Sequence, residues 1–165
     1  IMQKTIGILV DNSGSMANMN PVETVGSLNK NIQTLATDET SIFVASFSDD
    51  YKLFINNKNK KDITITLEDV KPEGLTALYD GIYYICSDIS EVCSVDTEND
   101  VTIIILTDGQ ENASQKKNIG SIRKLLSQKQ EIGWKFIFFR LVFWLVSRVL
   151  WLLYSVRRFC NDDLR

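Results

Sequence analysis

Lys4-Thr-Ile-Gly-Ile-Leu-Val-Asp-Asn-Ser-Gly-Ser15 decides the fold. After Lys4, the six residues to Val10 are β-branched or apolar with no polar alternation, which suits a strand buried on both faces. The run stops abruptly at Asp11-Asn12-Ser13-Gly14-Ser15, a cluster of turn-forming and hydrogen-bonding residues. A second such run, Val101–Leu106 (VTIIIL), ends in Thr107-Asp108-Gly109. Between and after these runs the period changes. Val22, Val25, Leu28, Ile32 and Leu35 recur at spacings of three and four, which predicts a helix over 21–36 with Asn20 as N-cap and Pro21 at its first position. Leu78, Ile82, Ile85, Ile89 and Val92 predict a second helix over 76–92. Ile119, Ile122, Leu125 and Leu126 predict a third over 114–130.

Ser41–Phe47 and Trp134–Phe139 complete the set of central strands. Tyr51–Ile55 and Ile63–Leu67 read as two further short strands joined by a polar turn, with Lys58, Lys60 and Lys61 at a soluble tip. Strands alternating with helices imply a mostly parallel sheet with right-handed crossovers and helices on both faces. Such sheets bind ligands at the carboxyl ends of their strands. Phe43, Phe47, Tyr83 and Tyr84 are packing aromatics in this reading, Cys86 and Cys93 are core or half-buried thiols, and Ser94–Asp100 is a polar loop.

Composition narrows the function. The chain has 165 residues, 44% of them hydrophobic, which suits one globular domain with a real core. It has no histidine. That removes Ser-His-Asp and Cys-His catalysis and histidine-ligated zinc. Three cysteines make no disulfide framework and favour reduced thiols. With no secretory signal legible, a cytoplasmic location is expected and the Asn112-Ala113-Ser114 sequon is a chance match. Residues 1–133 hold 12 Lys and Arg against 19 Asp and Glu, a net −7, which makes the body a poor partner for nucleic acid. Residues 134–165 hold 6 basic and 2 acidic residues and all three tryptophans.

On a parallel sheet three polar clusters would meet at one edge: 11–15, Gly74-Leu75-Thr76, and 107–109. They offer two carboxylates and three hydroxyls. Oxygen donors without nitrogen or sulfur suit Mg2+, Mn2+ or Ca2+. Neutral hydroxyl ligands would leave the ion electrophilic and able to take an outside carboxylate. Each cluster alone is ordinary turn chemistry, and Thr76 alone is a plausible helix N-cap. Asp80, four residues after Thr76 on one helical face, either supports the site or caps a loop amide.

Taken together and in this order, Asp11-Asn12-Ser13-Gly14-Ser15, Gly74-Leu75-Thr76-Ala77-Leu78-Tyr79-Asp80 and Leu106-Thr107-Asp108-Gly109 resemble the DxSxS, threonine and distal-aspartate segments of von Willebrand factor type A domains. The resemblance runs over roughly residues 3–139. It implies an α/β, Rossmann-like three-layer sandwich, with a mostly parallel central sheet and one antiparallel edge strand. It also implies a metal-ion-dependent adhesion site, in which Ser13 and Ser15 coordinate directly, Thr76 directly or through water, and Asp11 and Asp108 anchor the ion. The function then expected is cation-dependent binding of a protein partner that presents Asp or Glu, without catalysis. A Mg2+-dependent hydrolase or phosphoryl-transfer enzyme is the alternative, weakened because position 13 is Ser where aspartyl-phosphate enzymes carry a second Asp, and because no P-loop lysine is present. A structural subunit of a larger assembly is the third reading.

The family pattern breaks after residue 139. The chain therefore divides into a domain over 1–139 and an apolar, basic segment over 140–165, read as a helix. Residues 136–156 are long enough to span a membrane, but Arg140 and Arg148 would each cost ~2.5–3.5 kcal/mol near its centre. An amphipathic helix lying on the domain or on an anionic surface is a second reading, and a frameshifted ending is a third.

Overall fold

A computed structural model describes residues 2–93, 99–108, 111–144 and 148–154. Its strands are β1 (Gln3–Asp11), β2 (Ser41–Phe47), β3 (Tyr51–Lys58), β4 (Asn99–Thr107), β5 (Lys135–Trp144) and β6 (Arg148–Tyr154); its α-helices are α1 (Pro21–Leu35), α2 (Leu78–Val92) and α3 (Ile119–Glu131). The sheet order is β3-β2-β1-β4-β5-β6. β1, β2, β4 and β5 are parallel, and β3 and β6 run antiparallel at the two edges. The expected mostly parallel α/β sandwich with an antiparallel edge, β3, is the fold observed, and β6 adds a second antiparallel edge.

Alternation along β1 builds two cores. Ile6, Ile8 and Val10 face α1, where they pack with Leu28, Ile32, Ile42 and Val44. Leu9 faces the other way, into a cluster with Ile82, Ile85 and Ile89 of α2, Ile122 and Leu126 of α3, and Val101, Ile103 and Ile105 of β4. Phe43 and Phe47 belong to this second core, and Tyr83 packs at its margin. Each large apolar side chain so buried contributes about 1.5–3 kcal/mol relative to exposure. Asp11 and Thr107 continue the α2-facing rows of β1 and β4, so the polar ends of both strands come out on one side.

Several sequence expectations need correction. Residues 63–67 form no strand. Ile63 and Ile65 are buried in alternation with exposed Thr64 and Thr66, but the Asn29 side-chain amide stands in for a neighbouring strand. It accepts from Ile65 N and donates to Ile65 O, both at 2.9 Å. The third helix begins at Ile119, not at 114, behind an Asn118–Ser121 capping box. Of the polar loop expected at 94–100, residues 94–98 lie outside the described residues, and Asn99 and Asp100 already belong to β4.

The largest correction concerns the segment after 139. β5 runs unbroken across the expected domain boundary to Trp144, and β6 pairs with it from Phe138↔Tyr154 to Trp144↔Arg148. The described part of the segment read as a helix is strand. Its β-branched and aromatic residues favour extended backbone, and the free edge of β5 offers a full row of hydrogen-bond partners that a helix would leave unused. Among the described residues no helix is long and apolar enough to cross a membrane.

Candidate functional site

The site is assembled by strand register. In the parallel pairing of β1 with β4, Val10 stands opposite Leu106, so the last residues of both strands, Asp11 and Thr107, emerge together. The Thr107 hydroxyl donates to Asp11 Oδ2 at 2.7 Å, and Ser13 N donates to Asp11 Oδ1 at 2.9 Å. Asp11, Ser13 and Thr107 are all buried. Burial pushes the Asp11 carboxyl above its ordinary value, and nearby Asp108 adds to the rise, while the hydrogen bonds from Ser13 and Thr107 oppose it. Ser13 Oγ and Ser15 Oγ lie 3.0 Å apart, and Ser15 Oγ donates to Asp108 Oδ2. Asp11, Ser13, Ser15 and Asp108 are thus linked in one hydrogen-bonded run, through the Ser13 amide at its inner end and through hydroxyls beyond it. Gly109, expected to complete the turn, lies outside the described residues.

Thr76 reaches the same end of the sheet on a different loop. Gly14 N donates to Gly74 O at 3.0 Å, and Glu73 N donates to Asn12 O at 2.9 Å. These bonds stitch the threonine loop to the first loop. Gly14 eases this close approach, since a Cβ there would lie a tight 3.3 Å from Gly74 O. Gly74 itself has φ +77°, in the left-handed region that favours glycine, and a Cβ would run into Asp49. Thr76 is buried. The N-cap of α2 is Ala77, with no side-chain bond of its own, so the N-cap role considered for Thr76 is not the one it has.

Other residues at the site escaped the sequence reading. Asn112 Oδ1 accepts from Thr76 N at 2.8 Å, and Asn112 N and Ala113 N donate to Thr76 O at 3.0 and 3.2 Å. Glu111 accepts from Tyr79 N, Ala113 N and Ser114 N. Asp80, for which both a supporting and a capping role were open, caps loop amides: its carboxylate accepts from Gln115 N, Lys116 N and Lys117 N at 2.7–3.2 Å. The sequence signal for this is slight: Glu111 follows Thr107-Asp108-Gly109 after one intervening residue, and Asn112-Ala113-Ser114 reads as a sequon.

The donor set fits a hard divalent cation. Every group is an oxygen, and the serine pair's 3.0 Å separation equals the edge of an octahedron with bonds of about 2.1 Å, the Mg2+–oxygen length. Among the described residues no three His, Cys, Asp or Glu side chains gather to hold a metal, so an ion here would depend on the hydroxyls as well as the two carboxylates. An open cleft of about 570 Å3 lies beside the site, between the β2–β3 turn and the start of α2, lined by Asp49, Tyr51, Ala77, Tyr84 and Lys116 among others.

The fold and the oxygen cluster define a class. Residues 6–110, more than half of the chain and spanning all five motif positions, match the von Willebrand factor type A domain. The chain belongs to that family. None of the curated proteins is a significant match. Among solved structures, the manganese-loaded TRAP protein of Plasmodium vivax is similar at TM-score 0.63 and 17% identity, over 82% of this chain and 56% of that one. The vWF domain of the type V pili tip protein Mfa5 from Porphyromonas gingivalis is similar at TM-score 0.55 and 17% identity, over 67% of this chain and 39% of that one. BatB of Bacteroides thetaiotaomicron matches 96% of this chain and 83% of its own length at TM-score 0.61 and 12% identity. At such identities the likeness is one of fold. The chain spans little more than half of TRAP and less of Mfa5.

Proposed function

We propose that the protein is a cation-dependent protein-binding module. In this reading Ser13, Ser15 and Thr76 present hydroxyls to a Mg2+ or Mn2+ ion, and Asp11 and Asp108 supply the negative charge that keeps it there. The single observation that carries the reading is the hydrogen-bonded run from buried Asp11, through the Ser13 amide and the paired Ser13 and Ser15 hydroxyls, to half-exposed Asp108, with the two serine oxygens at octahedral spacing. The chemistry an ion supplies at such a place is Lewis-acid capture of an oxygen anion, here an Asp or Glu of the partner. The chain's own contribution is orientation. Ser13 N and the Thr107 hydroxyl hold both oxygens of Asp11 in place. The Gly14–Gly74 bond fixes the spacing of the serine and threonine loops. Family membership supports the reading, and so do the pilus-tip and manganese-loaded neighbours in fold.

Isothermal titration of Mg2+ and Mn2+ into the wild type and Ser13→Ala tests it. Saturable binding of one ion, weakened at least tenfold in the variant, is the expected result. No heat with wild type, or equal affinity in both proteins, would contradict the proposal.

A further inference from the structure

The start of α2 is capped from outside. The first N–H groups of a helix have no partner within it, and Ala77 supplies none by its side chain. Glu111 Oε2 accepts from Tyr79 N at 3.0 Å, and Ser114 Oγ accepts from Asp80 N at 3.1 Å. In return, the first turn of α2 captures the loop, since Asp80 takes three consecutive amides, 115–117. Glu111 also folds the loop on itself through Ala113 N, Ser114 N and the Ser114 hydroxyl. Two carboxylates therefore clasp two segments reciprocally, each placed where the helix dipole favours a negative charge. Asn112 extends the clasp by one step and locks both the N–H and the C=O of Thr76.

The consequence is positional. Thr76 stands next to the N-cap of α2, and Asp108 stands three residues before Glu111. The two residues lie on different loops, and among the described residues the clasp ties the segment from Glu111 to Lys117 to the start of α2. We infer that Asp80, Glu111 and Asn112 are positioning residues of the ion site, setting Thr76 and the segment 111–117 in fixed register. The inference rests on the ion-site reading above. Outer partners of this kind are typically worth 10- to 100-fold in metal affinity when removed.

The test is Mg2+ titration of the whole chain as wild type, Asn112→Ala, Asp80→Asn and Leu28→Ala, with amide hydrogen exchange of residues 113–117 recorded in EDTA. Asn112 is exposed and its truncation leaves the cores intact, so it remains informative if Asp80→Asn does not fold. Leu28→Ala loses core packing on the opposite face of the sheet and controls for stability alone. The expected result is a 10- to 100-fold weaker Kd for Asn112→Ala and Asp80→Asn, with Leu28→Ala within twofold of wild type. Exchange at 115–117 should be fast in Asp80→Asn even without ion. Ser114→Thr, which keeps the hydroxyl, should stay within about threefold of wild type. Wild-type binding that Asn112→Ala and Asp80→Asn both retain within twofold overturns this inference alone, as does an equal loss in Leu28→Ala. A wild type that binds no ion overturns the ion-site reading, and this inference with it.

Discussion

Asp11 and Asp80 are both buried carboxylates at the same end of the molecule, 1% and 9% exposed, yet their surroundings are opposite. Asp80 is surrounded by donors, three backbone amides converging on its two oxygens. Asp11 is met by Ser13, through its amide and its side chain, and by the Thr107 hydroxyl, with a second carboxylate, Asp108, in its field. The first is a finished structural bond. The second is a buried acid whose carboxyl is raised by burial, at the inner end of a hydrogen-bonded run that opens outward through Ser15 and Asp108. Burial of a carboxylate is costly unless it is compensated, so the two acids should respond differently when a divalent cation is offered.

The largest effect that would break this comparison concerns Asp80. Asp80→Ala strips acceptors from three amides and should cost about 3 kcal/mol, read as a lower urea midpoint with or without Mg2+. Asp11→Asn, which keeps an acceptor for Ser13 N, should stay within about 1 kcal/mol of wild type in EDTA. Equal losses would mean the two acids do the same job. Next, Mg2+ at a hundred times its Kd should stabilise the wild type by about 2.7 kcal/mol, and this increment should vanish in Asp11→Asn and Ser13→Ala. Gly74→Ala should cost about 1–2 kcal/mol from its left-handed φ and weaken Mg2+ binding, because it displaces the bond to Gly14; calorimetry measures both.

The smallest effect is a pH dependence. Asp11 is raised in the folded state, so the fold holds this proton more tightly than the unfolded chain does. Its contribution is fully present below the ordinary carboxylate pKa of 3.8 and is lost as pH climbs through the folded value. In EDTA the wild type should therefore lose stability relative to Asp11→Asn as pH rises from about 4, while Mg2+ should reverse the difference at neutral pH. A difference that stays flat from pH 3 to 8 would show that burial does not raise Asp11.

What the sequence made legible follows from locality. β1 and β4 announce themselves because strands buried on both faces must be apolar throughout, and α1 because Asn20, Pro21 and a three-four spacing act within one segment. That Asp11, Ser13, Ser15 and Asp108 come together was legible because strand ends of a parallel sheet converge by topology. The clasp was not, since a carboxylate capping amides 35 residues away leaves no local pattern: Asp80 looks like any polar helix residue, and amides 115–117 carry no signature. The same cause moved the start of α3 to Ile119. Residues 63–67 misled because Ile63 and Ile65 alternate as a strand does, while the partner is a single side chain, Asn29. Beyond residue 139 the reading failed for a different reason. A run such as Arg-Val-Leu-Trp-Leu-Leu-Tyr is apolar at almost every position, so it satisfies helical and extended periods alike, and the open edge of β5 selects between them.

The decisive question is where a divalent ion binds. Crystals soaked in Mn2+ and measured for anomalous scattering give that answer directly. One strong peak bonded to Ser13 Oγ and Ser15 Oγ, with Asp11, Thr76 and Asp108 around it, is the predicted map. Clean density for the five side chains with no peak among them would contradict it.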